Sequence, residues 1–144
     1  MPTLEDAIIL AVKEHRGQVD KAGQPYILHV IRVMLRLNSD VERITGVLHD
    51  VIEDTGHTVD TLREMGYPDE VLNALDCLTK RKNETYEDFI ERVRVSPLAR
   101  RVKIADLEDN LDIRRLPKLG EQEFERLRKY RRAWAQLVSD RDKG

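Results

Sequence analysis

Apolar residues recur at helical spacing along almost the whole chain, and polar caps, glycines and prolines divide them into segments. Thr3, with Asp6 three residues on, precedes Leu4, Ala7, Ile8, Ala11 and Val12, which predicts a first helix ending near His15. Gly17, Gly23 and Pro25 then mark a loop feeding a helix from about Pro25 to Leu37, which carries His29. Asp40 is the expected N-cap of a third helix, with Val41, Ile44, Val47, Leu48, Val51 and Ile52 as its apolar surface. His49 and Asp50 are expected deep within that helix.

Thr58 caps a short helix ending before Gly66, and Pro68 opens another with Val71, Leu72, Leu75 and Leu78 inward. Thr85 and Asp88 form an acidic capping arrangement ahead of Phe89, Ile90 and Val93. Ser96-Pro97 pairs an N-cap with proline at the first helical position, so Asp106 should project from the helix that begins there. Pro117 and Gly120 mark its exit. A last amphipathic helix turns Phe124, Leu127, Trp134, Leu137 and Val138 inward and Arg126, Arg128, Lys129, Arg131 and Arg132 mostly outward, with fraying expected from about Ser139. The class is all-α, a compact helical bundle, and the short connections predict one domain over residues 1–144.

Composition agrees with that class. Charged residues make up 36% of the chain and aromatics 5%, a balance suited to amphipathic helices with solvated outer faces. With 25 Lys and Arg against 27 Asp and Glu, nothing global calls for nucleic acid or an acidic membrane as partner. The basic run from Arg126 to Arg132 follows Glu121, Glu123 and Glu125 at spacings that allow ion pairs along a solvated helix face. Cys77 is the sole cysteine, which excludes an intramolecular disulfide and a Cys-based zinc site; it reads as a small buried apolar residue. Glu5 and Asp6 stand before the short apolar run Ala7 to Val12, unlike a signal peptide, and cytoplasm is the expected compartment.

The chemistry concentrates in His49-Asp50-Val51-Ile52-Glu53-Asp54-Thr55. Residues three and four apart share a helix face, so an imidazole and three carboxylates fall together at the edge of an apolar surface. That clustering costs desolvation and like-charge repulsion unless a cation offsets both. Mixed nitrogen and oxygen donors suit Mn, Fe or Zn, and His29 and Asp106 are the best-placed ligands from other helices.

Four ordered motifs carry a resemblance: His15-Arg16-Gly17-Gln18, the stretch Lys21 to Pro25 continuing through Tyr26 to His29, His49 to Thr55, and Ala105-Asp106 with Asn110. In these the chain resembles the HD superfamily of metal-dependent phosphohydrolases, and within it the hydrolase domain of RelA/SpoT-type (p)ppGpp enzymes and their small single-domain relatives. The resemblance spans roughly residues 7 to 116. It implies an HD-domain helical bundle with His29, His49, Asp50 and Asp106 as ligands of one divalent ion, Mn2+ first, with Fe2+, Zn2+ or Mg2+ as alternatives. It implies Glu53 and Asp54 as the pair that orients or deprotonates the attacking water, and Asn110 as a polar pocket residue. The implied reaction removes a 3′-pyrophosphate from a guanosine polyphosphate.

From first principles such an ion acidifies water and stabilises phosphoryl charge, while Lys21 and Arg16 from the glycine-containing loop could neutralise substrate phosphates. Departures fall on the substrate side. Asp20 stands where a basic residue is usual, Val30 replaces a proline, and Leu107 to Ile113 loses two arginines and a threonine and gains acids. The alternatives are therefore nucleotide phosphomonoester or dNTP hydrolysis, or a non-catalytic nucleotide-binding regulatory domain. The expected partner is a small-molecule nucleotide or phosphate ester, with no nucleic acid and no membrane; a homo-oligomer is compatible with the sequence. His15 reads as a structural residue near a helix end, His57 as an exposed loop residue, and Trp134 as core.

Overall fold

The computed structural model describes residues 1–143, with side chains through residue 139. Caps start most helices where the sequence puts them. The Thr3 hydroxyl accepts from the Asp6 amide and the Asp6 carboxylate accepts from the Thr3 amide, opening α1 (Leu4–His15). Thr58 with Thr61 does the same for α5 (Val59–Glu64), and Thr85 and Ser96 cap α7 (Tyr86–Arg94) and α8 (Pro97–Asn110). Between α5 and α7, Pro68 leads into α6 (Asp69–Cys77). A 3-10 turn, Ile113–Arg115, follows α8, and α9 (Glu121–Lys143) closes the order.

Two helices differ in their boundaries. The second helix, α2, spans Ile27–Leu35, two residues shorter at each end than expected. Its flanks are tighter turns, with Leu28 N–H bonding to the Pro25 carbonyl and Leu37 N–H to Met34. For α3 (Asp40–Leu48) the cap is Ser39, whose hydroxyl accepts from the Glu42 amide, and Asp40 sits in the first turn instead.

The larger correction concerns His49 and Asp50. They do not lie deep in a continuous helix: α3 ends at Leu48, and a separate turn, α4 (Val51–Asp54), begins after them. Adjacent residues on an unbroken helix point about 100° apart. The break lets both side chains aim at one point.

Helix α3 packs against α1, α2, α6 and α8, which places that break at the centre of the bundle. Val30, Ile44, Leu48, Leu62, Leu72 and Leu75 fill one apolar cluster, and Val33, Phe89, Ile90, Val102, Leu107 and Leu137 a second; Val41 touches both. Each fully buried leucine contributes about 2 kcal/mol. Gly46 lets the turn after α2 pack closely on α3, since a Cβ there would lie 2.5 Å from Leu37 Cδ1.

Helix α9 departs from its expected orientation. Ala133 and Leu137 enter the core, but Phe124 is 43% exposed and Trp134 is half-buried, its indole N–H donating to Glu108 at 3.2 Å. The first turn lies over a cleft, which buries Glu123 and turns Leu127 toward that cleft instead of the core. The fraying expected from about Ser139 falls largely on 140–144, whose side chains lie outside the described residues. Among the described residues, no helix is long and apolar enough to cross a membrane.

Candidate metal centre

Residues from three places in the chain converge where α3 breaks. His49 Nδ1 lies 2.6 Å from the Gly46 carbonyl oxygen, which can only accept, so the ring proton sits on Nδ1 and the lone pair on Nε2. That buried Nε2 has no aligned hydrogen bond, although Asp50 Oδ2 is 3.0 Å away and Asp106 Oδ1 3.3 Å away. His29 on α2 repeats the arrangement. Its Nδ1 meets the Asp109 carboxylate at 2.6 Å, and its Nε2 faces Asp106 Oδ1 at 2.9 Å and Asp50 Oδ2 at 4.0 Å. One ligand atom each from His29, His49 and Asp50 fall within 4.8 Å of one another.

Were both rings neutral, two imidazole lone pairs would face two carboxylates and repel them; a proton, as in the His29 hydrogen bond to Asp106, or a metal cation offsets that repulsion. Burial by itself pushes His49 down, but Asp50 and Asp106 outweigh it and hold the imidazole above its ordinary value; the same carboxylates are held below theirs. A field that retains protons on histidine so firmly also favours a divalent ion. The donor set, two imidazole nitrogens and two carboxylates, fits Mn, Fe or Zn. Of the four expected ligands, His29, His49 and Asp50 thus face one point, and Asp106 Oδ1 lies against both imidazole Nε2 atoms.

Three supports for this cluster were not picked out from the sequence. Asp109, one turn after Asp106, is buried and collects His29 Nδ1, Arg32 Nε at 2.8 Å and Arg115 Nη1 at 3.0 Å. Burial would raise its pKa, but the bonds from His29 and Arg32 pull it well below the usual carboxylate range. Lys103, one turn before Asp106, donates to its Oδ2 at 2.8 Å. Tyr26 donates its hydroxyl to Asp50 Oδ2. Helix periodicity could have flagged Lys103 and Asp109, which share a face with Asp106 at three residues on either side.

Glu53 and Asp54 ride on α4, one turn beyond Asp50, and remain exposed. Partial desolvation, then the neighbouring charge of Asp50, raises both carboxyls, the direction a general base near neutrality requires. Beside the cluster opens a cleft of about 390 Å³ that reaches His29. Lys21, Asn110, Arg115 and Arg126 line it, together with Tyr26, Tyr130 and apolar residues such as Leu116. Asn110 also donates to Asp106 Oδ1 at 3.3 Å. Arg16 is exposed and is not among the residues lining the cleft.

Asp20 does not act as the free anion its position implied. Its Oδ1 accepts from the Ala22 and Gln24 amides at 2.9 Å, folding the loop, and its Oδ2 pairs with Arg115 at 3.1 Å. Arg115 thereby returns a cation to the cleft wall from the 3-10 turn. Glu123 is also placed differently from expectation: it is buried at the cleft and makes no ion pair with the basic run among the described residues. His15 is buried, with Nδ1 2.8 Å from Gln18 Oε1 and a buried Nε2 that has no hydrogen-bond partner. His57 is half-buried, bridging Thr61 and Glu14, and so is not a free loop residue.

No protein-family model matches the chain. It is 37% identical over 82 residues to a GTP pyrophosphokinase of Myxococcus xanthus, covering 54% of this chain and 11% of that protein. It is 30% identical over 118 residues to a guanosine-3′,5′-bis(diphosphate) 3′-pyrophosphohydrolase of Aquifex aeolicus, covering 76% of this chain and 17% of that protein. The chain therefore spans under a fifth of the length of these curated relatives. Among solved structures, it superposes on a metazoan ortholog of SpoT described as hydrolysing ppGpp. The TM-score is 0.77 at 22% identity, over 96% of this chain and 87% of that one. The all-α fold is that of the SpoT ortholog, and in sequence the chain is a homologue of a segment of the RelA/SpoT-type enzymes.

Proposed function

We propose that the chain is a cytoplasmic HD-type phosphohydrolase that removes pyrophosphate from the 3′ position of guanosine 3′,5′-bis-polyphosphate and depends on one divalent ion, Mn2+ first. One observation carries this reading: two buried histidines, each fixed through Nδ1, present Nε2 to the same pair of aspartates. His29, His49, Asp50 and Asp106 would hold the ion. Bound there, it would supply Lewis acidity toward phosphoryl oxygens and acidify an attacking water.

The chain's own residues account for the rest. Asp109 and the Gly46 carbonyl set the tautomer and direction of the two imidazoles. Lys103 and Tyr26 orient the two aspartates. Glu53 or Asp54 takes the proton from water, and their raised pKa matches the task. Lys21 and Arg126 neutralise substrate phosphates in the cleft, where Asn110 offers a further hydrogen-bond donor. The choice of substrate is supported by the likeness to the Aquifex aeolicus 3′-pyrophosphohydrolase and to the SpoT ortholog described as hydrolysing ppGpp.

The test is pyrophosphate release from ppGpp by Mn-supplemented protein, with Asp50→Ala and Glu53→Ala as controls. Release that both variants abolish is expected. Wild-type turnover by both variants contradicts the mechanism, and orthophosphate from mononucleotides in place of pyrophosphate from ppGpp replaces the substrate.

A further inference from the structure

Glu123 is an acidic cleft residue whose position the reading above does not use. It is 8% exposed, yet its carboxylate makes no hydrogen bond and no ion pair with any described residue, and it lines the cleft that reaches His29. Its oxygens stay reachable from the cleft and are not sealed inside the protein. Nearby cations act on it only from a distance, Lys21 among them. Arg126 lies one helical turn away and Lys21 on the opposite loop, but neither comes within ion-pair distance. Glu123 Oε2 lies beside Gly120, the residue before the first turn of α9. The carboxylate is therefore an open double acceptor on the cleft wall formed by α9.

Ligand chemistry can complete it. A carboxylate accepts two parallel N–H bonds, so the matching group carries two adjacent donors. Among nucleobases, guanine offers them on its Watson–Crick edge, N1–H beside the exocyclic N2 amino group. Hypoxanthine keeps N1–H and lacks the amino group. Adenine presents a lone pair at N1, which a carboxylate repels. Tyr130 and Leu127 on the same helix, with Leu116 opposite, give the flat apolar contact that a base requires. The volume of about 390 Å³ suits a nucleotide-sized ligand.

We propose that Glu123 is the base-reading residue of this cleft, accepting from N1–H and the N2 amino group of guanine and so selecting guanine nucleotides over hypoxanthine and adenine ones. The assignment rests on the nucleotide-hydrolase reading of the same site. It also explains an acid in a cleft that must receive phosphates. The phosphates face Lys21 and Arg126, while the base faces Glu123.

The experiment is calorimetric titration of the Mn-supplemented protein with guanosine, inosine and adenosine 3′,5′-bisphosphates, using wild type and Glu123→Gln. The wild type is expected to bind the guanosine compound roughly 10- to 100-fold tighter than the inosine one, the value of one lost hydrogen bond to a charged group. In Glu123→Gln that preference should collapse to about threefold or less, since the amide offers one acceptor and sets a donor against a donor. If the glutamine variant does not fold, Glu123→Asp, which withdraws the charge by one methylene, is expected to lower the preference as well. Equal binding of all three by wild type, or an undiminished guanine preference in the variant, overturns the assignment. Pyrophosphate release from ppGpp is measured on the same preparation. Release without base preference sinks only the role of Glu123, whereas no binding and no release sinks the hydrolase reading with it.

Discussion

Asp109→Asn isolates the part played by groups that never touch the ion. The substitution preserves shape but removes the charge that gathers His29 Nδ1, Arg32 and Arg115 around one buried carboxylate. The His29 contact, 2.6 Å long and charge-assisted, fixes which nitrogen of the ring faces the cluster. Weakening it lets the imidazole rotate and lowers its basicity, which by analogy with other outer-shell partners costs about 10- to 100-fold in metal affinity. That is about 1.4 to 2.8 kcal/mol. Folding stability should fall by a further 1 to 3 kcal/mol or so for a buried acceptor that loses charged donors; Arg32, being partly exposed, contributes little of it. The assay is a Mn2+ titration by calorimetry with a denaturant melt of the metal-free protein, and Asp60→Asn serves as control because its carboxylate makes only the exposed pair with Arg63. Wild-type metal affinity in Asp109→Asn would refute the reasoning.

Further consequences follow from the same geometry. Glu53→Gln should retain the ion but lose about 10²- to 10⁴-fold in turnover, read as metal content beside the rate of pyrophosphate release; an unchanged rate removes Glu53 from the mechanism. Gly46→Ala should destabilise by about 1 to 3 kcal/mol in thermal melts, because the new Cβ meets Leu37 Cδ1 at 2.5 Å. Asp20→Ala should weaken nucleotide binding and loosen the loop, seen as a raised KM and faster proteolysis between residues 16 and 26, since both amide caps and the Arg115 pair are lost. The Glu84 carboxyl is held at about 2 by Arg92, against an ordinary 4.5. Its folded value is depressed, so its contribution to stability is present above pH 4.5 and is lost as pH falls toward about 2. Denaturant midpoints across that window should fall less steeply in Glu84→Gln than in wild type.

The helices and the four convergent side chains were legible because caps and hydrophobic spacing are local and the motifs are ordered along the chain. Thr3, Thr58, Thr85 and Ser96 all cap as their sequence context predicts. What local pattern could not show was how charges are neutralised across distance. Asp20 looked like a hostile anion until Arg115, 95 positions away, was seen paired with it. The helix break at His49 and Asp50 was hidden because Val47, Leu48, Val51 and Ile52 continue an apolar helical stripe straight through it. Glu123 looked solvated because the acids and bases of α9 satisfy a helix-face spacing; the docking of its first turn over the cleft decides otherwise.

Crystals of the protein grown with Mn2+ and measured at the manganese absorption edge test the metal centre most directly. The account predicts one strong anomalous peak bonded to His29 Nε2, His49 Nε2, Asp50 and Asp106. A peak elsewhere, or none there at saturating Mn2+, would contradict it.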